Sequence, residues 1–97
     1  MTRVERDCLD AISASAVPHK LDASASLAAR RSWSSALFVG TRLTVAVTAT
    51  DDERLDRWLA SLAEADLPVP GHFVASAEVV ARSDRAASIE LLVVEET

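Results

Sequence analysis

Apolar residues recur every three or four positions in two stretches of the chain, which predicts two helices that each bury one face. The first helix is predicted from residue 2 to about residue 14, and Pro18 prevents it from continuing. The second begins at Thr50 and ends before Pro68. Both begin with Thr-x-x-Glu, in which the two side chains can satisfy free backbone N–H groups. The predicted buried positions are Val4, Cys8, Ala11 and Ile12, and then Leu55, Trp58, Leu59, Leu62 and Ala63.

Four other stretches alternate apolar and polar residues, which is the period of a strand with one buried face. The predicted strands cover residues 21–30, 41–50, 72–82 and 87–95, and residues 31–40 are predicted to be a long connection within the first hairpin. The inward positions of the second and fourth strands are Leu43, Val45, Val47, Ile89, Leu91 and Val93. Those of the first and third strands are Leu21, Ala23, Ala25, Leu27 and Ala29, and Phe73, Ala75, Ala77 and Val79.

The element order αββαββ coincides with a self-similarity in the sequence. Residues 17–32 match residues 69–84 at seven of sixteen positions, including a shared Val-Pro start and the arginines Arg30 and Arg82. Residues 3–6 align in the same way with residues 54–57. A repeat of this length is a supersecondary unit, so we expect one domain, residues 1–97, made of repeat one (2–50) and repeat two (51–97).

The order also restricts the fold to few arrangements. A right-handed crossover through the second helix joins the two hairpins into one sheet. The simplest closed solution is an α+β fold with a four-stranded antiparallel sheet, both helices on one face, and the second and fourth strands in the centre. This topology resembles a circularly permuted ferredoxin-like fold, βαββαβ, in which the first strand has moved to the end. A resemblance of topology implies no function.

The face of the sheet opposite the helices is predicted to be unusually apolar. It carries Val74, Val80, Leu92 and Val94 beside small polar residues. Contiguous apolar surface of this kind marks interfaces, so we expect a second subunit to cover it and the protein to be a homo-oligomer. The connection between the first two strands adds Trp33 and Phe38, which either fold back on the core or reach a neighbouring subunit.

Composition and charge exclude several classes of function. The net charge is −5 with a single lysine, so the chain lacks the clustered basic residues that bind nucleic acid or an acidic membrane surface. No apolar run approaches the length of a membrane span, and the first ten residues are too charged for a signal peptide. A single cysteine forms no internal disulfide, and we expect a cytoplasmic location.

Candidate catalytic residues are few and weak. Glu90 is predicted on the open sheet face with Arg42 as a partner, and His19 and His72 each follow a proline near a helix-to-strand loop. The two histidines are expected at opposite ends of the sheet, where they cannot share a ligand. Cys8 lies on a helical apolar stripe, which favours a packed thiol. We expect no bound metal and no cofactor, since no ligand spacing or phosphate loop occurs.

Three functions are compatible with these features. The first is a non-catalytic, self-associating module with an assembly or regulatory role. The second is a small enzyme or metabolite-binding protein whose pocket lies between two sheets and uses Glu90, Arg42 and a histidine. The third is a structural subunit of a ring-like particle, for which the long connection is the only indication. Images of rings or filaments are expected to distinguish such a particle from a simple dimer.

Overall fold

The computed structural model describes residues 1–96, which form two α-helices, each followed by a short 3-10 helix, and one four-stranded antiparallel sheet. The strand order is β1-β2-β4-β3, so the two central strands are those predicted from the sequence. The chain is therefore an α+β protein compatible with a ferredoxin-like fold. The elements are α1 (Arg3–Ala16), β1 (Ala23–Ser34), β2 (Val39–Ala49), α2 (Asp52–Ser61), β3 (His72–Ser83) and β4 (Ala86–Glu95).

The two helices begin with different caps. Thr2 and Glu5 form the predicted capping box at α1: the Thr2 hydroxyl accepts from the Glu5 backbone at 3.2 Å, and the Glu5 carboxylate accepts from the Thr2 backbone at 2.6 Å. The box predicted at Thr50 is wrong, because the Asp51 carboxylate accepts from the Arg54 backbone at 3.0 Å instead. Aspartate caps at least as well as threonine and adds a negative charge at the positive end of the helix.

The core lies between the helices and the inner face of the sheet. Trp58 is its largest buried side chain, and its indole N–H donates to the hydroxyl of Ser15 at 2.9 Å, which ties α2 to α1. The buried indole N–H therefore has a hydrogen-bond partner, and its burial carries no penalty for an unsatisfied donor. Most of the other fully buried side chains are those predicted from the two periods, namely Cys8, Ile12, Leu43, Val45, Val47, Leu55, Ile89, Leu91 and Val93.

The predicted long connection over residues 31–40 is wrong. The first hairpin continues through Ser34 and Val39, and only four residues form the turn. Within this turn the Ser35 backbone donates to the Phe38 carbonyl at 2.8 Å. Gly40 lies in the added part of β2, where a Cβ would come within 2.3 Å of the Val93 carbonyl oxygen. The absence of a side chain at Gly40 thus lets the backbones of β2 and β4 approach closely.

Bulges in the two edge strands reverse part of the predicted alternation. The register of β1 shifts between Leu27 and Ala29, so that Ala29 lies opposite Thr44 on the outer face and Arg30 lies opposite Leu43 on the helix side. A second shift, between Val79 and Ala81, does the same in β3. An extra residue in one strand exchanges the two faces for the residues that follow it. The predicted inward position of Ala29 is therefore wrong.

The bulges place an arginine of each edge strand against a helix. Arg30 contacts the Glu5 carboxylate at 3.3 Å, and Arg82 contacts Asp52 and Asp56 at 2.8 Å each. The hydrogen bond from the Thr2 backbone, together with the charge of Arg30, lowers the pKa of Glu5 below its ordinary value. The hydrogen bond from Arg82 lowers the pKa of Asp52 in the same way. Both carboxylates are thereby held in their charged form.

A third shift, between Val74 and Ser76, exchanges two residues at the start of β3. Alternation predicts Val74 on the outer face, but this side chain packs against the core. Alternation also predicts that Phe73 points inward, but it lies opposite Val94, which is on the outer face. A bulge here cannot be anticipated from the pattern, because the extra residue at Ala75 is as small and apolar as its neighbours.

Candidate functional site

The sheet face turned away from the helices, here called the open face, carries aromatic and charged residues that the packing of the core does not explain. The strand register arranges its side chains in rows of four, because residues directly opposite one another in an antiparallel pair project to the same side. One row consists of Trp33, Gly40, Val94 and Phe73. The next consists of Arg31, Arg42, Leu92 and Ser76, and the third of Ala29, Thr44, Glu90 and Glu78.

The aromatic end of the open face comprises Trp33, Phe38, Phe73 and Val94. The rings of Phe38 and Phe73 meet edge to face, with centroids 6.1 Å apart and planes at 87°. Both remain about two-fifths exposed, at 40% and 41%, while Val94 beside them is only 2% exposed although it lies outside the main core. The aromatic end therefore forms a small apolar cluster of its own, with two rings partly open to solvent.

The charged band of the open face comprises Arg31, Arg42, Glu78 and Glu90. Arg31 lies directly opposite Arg42, and Glu78 directly opposite Glu90. Like charges in this position repel each other. Arg42 and Glu90 relieve part of the repulsion by forming a salt bridge at 3.1 Å across the two central strands. Within residues 1–96, neither Arg31 nor Glu78 forms an ion pair.

A depression of about 290 Å³ lies along the charged band. Its polar side chains on the open face are those of Arg31, Arg42, Thr44 and Glu90, whereas Arg30 also borders it but directs its guanidinium to Glu5 on the helix side. Two arginines beside one carboxylate leave an excess of one positive charge, which suits a carboxylate or phosphate group. Glu90 is bound to Arg42, and its side chain is about one-third exposed. This geometry suits Glu90 for an ion pair better than for proton transfer, which favours a buried, unpaired carboxylate.

The residues predicted for the interface occupy three kinds of position. Trp33, Phe38, Leu92 and Val94 lie together at or beside the aromatic end. Val80 is the extra residue of the β3 bulge and is largely exposed at the sheet edge. Val74 lies on the opposite side, against the core. Val94 needs no second subunit for its burial, because its own chain already covers it.

The two histidines lie in separate parts of the molecule. The Nε2 atom of His19 is 3.3 Å from the Ser61 hydroxyl, and the Nδ1 atom of His72 is 3.0 Å from the Pro70 carbonyl oxygen. Neither lines the depression in the charged band. The predicted combination of Glu90 and Arg42 with a histidine is therefore not assembled within one chain.

Cys8 is buried in the core, where only 1% of the residue is exposed. Burial, with smaller contributions from Asp7 and Glu5, raises the pKa of the Cys8 thiol to about 11. A thiol of this kind carries almost no thiolate at neutral pH and is a poor nucleophile. In the described part of the chain, no three histidine, cysteine or carboxylate side chains come together as a metal site. The helices there are also too short or too polar to cross a membrane.

Reasoning from the sequence missed three residues of the open face. Alternation assigns Phe73 to the core, and it gives no reason to single out Arg31 or Glu78. If the strands of each hairpin are paired outward from the turn, with one extra residue allowed in the edge strand, Arg31 falls opposite an arginine and Glu78 opposite a glutamate. No local pattern marks the bulges, so this signal becomes visible only once the register is known.

Comparison of the chain with protein-family models, with curated proteins and with solved structures gave no significant match. The interpretation of the open face therefore depends on its own geometry and chemistry.

Proposed function

We propose that this protein is a non-catalytic, self-associating module with an assembly or regulatory role, and that a second copy covers its open face. The observation that carries the proposal is the aromatic end, where Phe38 and Phe73 each expose about two-fifths of their surface on the same side of the sheet as Leu92. Aromatic residues of this kind are common anchors of interfaces. A cytoplasmic location belongs to the same proposal, because the only cysteine is a buried free thiol.

The size of the open face is sufficient for a stable interface. Four strands at about 4.8 Å spacing and about ten residues long cover roughly 19 by 33 Å, or about 600 Å². Two copies would bury about 1,200 Å² in total, which lies at the lower end of the range for specific complexes. The mixed character of the surface also fits an interface, because interfaces between soluble proteins combine an apolar part with polar and charged residues, and here the aromatic end adjoins a charged band.

Sedimentation equilibrium tests the proposal directly. The 10.4 kDa chain is expected to sediment with twice its mass or a larger multiple at tens of micromolar, and to dissociate on dilution. A single mass of 10.4 kDa at every concentration up to about 1 mM would overturn the proposal, because affinities weaker than that are too low for a stable assembly. A mass of six or more chains would favour the ring-like particle over a simple dimer.

A second candidate function has one observation in its favour. The depression in the charged band combines Arg31 and Arg42 with the Thr44 hydroxyl, which is a chemistry suited to a small carboxylate or phosphate compound. We therefore propose anion binding as the alternative. Titration calorimetry with inorganic phosphate and with succinate tests it: binding that is lost in Arg31→Gln would support a ligand site, and no heat at millimolar concentration would remove it.

The two halves of the fold are similar in their elements, bulges and ion pairs. We propose that the chain is an internal duplication whose topology is a circularly permuted ferredoxin-like fold. Strand order β1-β2-β4-β3 is the order that results when the first strand of βαββαβ is moved to the end. The bulge after Leu27 and the bulge after Val79 occupy aligned positions of the two repeats. The ion pair between Glu5 and Arg30 likewise aligns with the pair between Asp56 and Arg82.

A swapped chain tests the duplication. Residues 51–96 followed by a short linker and residues 2–50 would place the second repeat first. If the two repeats are equivalent units, this chain is expected to fold cooperatively with the circular dichroism spectrum of the natural order. An unfolded product, obtained with linkers of several lengths, would count against equivalence.

A further inference from the structure

We infer that two copies pack their open faces together around a twofold axis parallel to the strands, and that Arg31 of each copy pairs with Glu78 of the other. This inference rests on the proposed function and adds to it the orientation of the two copies and the residues that fix that orientation.

The distribution of charge on the open face motivates the inference. The positive pair, Arg31 and Arg42, lies on β1 and β2, whereas the negative pair, Glu78 and Glu90, lies on β3 and β4. Arg42 and Glu90 neutralise each other in the centre of the sheet. Within the 96 described residues, one positive charge on one edge strand and one negative charge on the other then remain without an ion-pair partner. A surface of this kind is complementary to a rotated copy of itself.

The charges favour one of the two twofold axes that keep the strands of the two sheets aligned. An axis perpendicular to the strands would stack β1 and β2 of one copy on β1 and β2 of the other, which brings Arg31 and Arg42 near their own copies. An axis parallel to the strands reverses the strand order, so that β1 lies over β3 of the other copy and β2 lies over β4. Positive then faces negative, and like-charge contacts across the interface are avoided.

The same axis also fixes the register along the strands. A rotation includes no translation along its own axis, so each row of residues faces the same row in the other copy. Trp33 then lies over Phe73 of the other copy, and Gly40 over Val94, where the missing side chain leaves room. Arg31 lies over Ser76, and Glu78 is two residues further along the same strand, about 7 Å away. With packed sheets about 10 Å apart, a long arginine side chain can reach it.

A pair of charge reversals tests this arrangement. In a dimer of Arg31→Glu, the new glutamate of each copy would face Glu78 of the other copy. In a dimer of Glu78→Arg, the new arginine of each copy would face Arg31 of the other copy. Each variant alone is expected to self-associate at least tenfold more weakly than the natural chain. An equimolar mixture restores both ion pairs, because the glutamate introduced at position 31 faces the arginine introduced at position 78, and the unaltered Arg31 and Glu78 face each other. The mixture is therefore expected to form a mixed dimer of natural affinity, measured by sedimentation with one variant fluorescently labelled.

The matched controls are an Arg-to-Glu and a Glu-to-Arg substitution on the helix side of the molecule. Arg6→Glu and Glu64→Arg alter exposed residues away from the open face and are expected to leave self-association unchanged. Circular dichroism checks that all four variants are folded. If a charge reversal on the open face prevents folding, the neutral variants Arg31→Gln and Glu78→Gln replace the reversals, and each is expected to weaken self-association by a smaller factor. Variants that associate like the natural chain, or a mixture no tighter than its components, would overturn the pairing. If the natural chain itself is monomeric, the proposed function fails as well.

Discussion

Replacing Phe73 with alanine is expected to weaken self-association while leaving the fold intact. Phe73 exposes 41% of its surface on the open face, which is about 80 Å² of a residue of about 200 Å². A symmetric dimer covers this surface twice, so about 160 Å² is lost. At about 25 cal/mol per Å² the loss corresponds to at most about 4 kcal/mol. Because ordering costs offset part of the gain, we expect about 2 to 4 kcal/mol, or a rise in Kd of about 30- to 700-fold.

Sedimentation equilibrium or dilution calorimetry measures this change, with Val79→Ala as the matched control. Val79 also exposes 41% of its surface and lies on the same strand, but it is opposite Ile89 and therefore on the helix side of the sheet. Its truncation is expected to leave Kd unchanged within a factor of about three. Thermal unfolding of both variants checks the fold. Equal effects at the two positions, or no effect of Phe73→Ala on a natural dimer, would refute the assignment of the interface to the open face.

Three further predictions concern the fold that supports this face. Gly40→Ala is expected to lower the free energy of unfolding by about 1 to 3 kcal/mol in urea titrations, because its Cβ would lie 2.3 Å from the Val93 carbonyl oxygen; unchanged stability would contradict the close approach. The pKa of Glu5 is lowered by the Thr2 backbone and by Arg30, so its stabilising effect is complete above its ordinary pKa of 4.5 and is lost as the pH falls through the lower folded value. In Glu5→Gln, the fall in stability between pH 5 and about pH 3 is expected to be smaller than in the natural chain, and an equal fall would contradict the lowered pKa of Glu5. Cys8, whose pKa is raised to about 11, is expected to react with a thiol reagent at pH 8 only after unfolding in urea, whereas rapid reaction of the folded chain would place the thiol at the surface.

The order and type of the elements could be predicted from the sequence because two hydrophobic periods separate cleanly along the chain. The helical stripes that include Ile12 and Trp58 and the alternation on β2 and β4 both identified core residues correctly. The central position of β2 and β4 followed from the handedness of the crossover and from the simplest closed sheet that joins two hairpins. These features depend on local pattern and general topology, which a single sequence contains.

The edge strands could not be predicted at the same level. Bulges at Ala28, Ala75 and Val80 each shift the alternation, and all three are small or β-branched residues that fit either face. As a result, alternation places Arg30 on the outer face, although it contacts Glu5 on the helix side. A bulge depends on the pairing of two distant strands, so no local pattern reports it.

The candidate site was predicted only in part for the same reason. Leu92 and Val94 were expected on the open face and do lie there, whereas Trp33, expected in the connection between the first two strands, lies on the same face as part of β1. The organisation of the open face into an aromatic end and a charged band was not expected, because it depends on which residues of four separate strands share a row. Val94, expected to require a second subunit, is covered by its own chain.

Quenching of Trp33 fluorescence by acrylamide reports whether a second copy covers the open face, on which the proposed assembly depends. Trp33 lies half-buried at the aromatic end, whereas Trp58 is 1% exposed in the core and changes little, so the difference between the natural chain and Trp33→Phe isolates the open face. Above the concentration at which the chain associates, the Trp33 signal is expected to become resistant to quenching, and on dilution it is expected to become accessible again. A chain that associates while Trp33 stays equally accessible would show that another surface forms the interface.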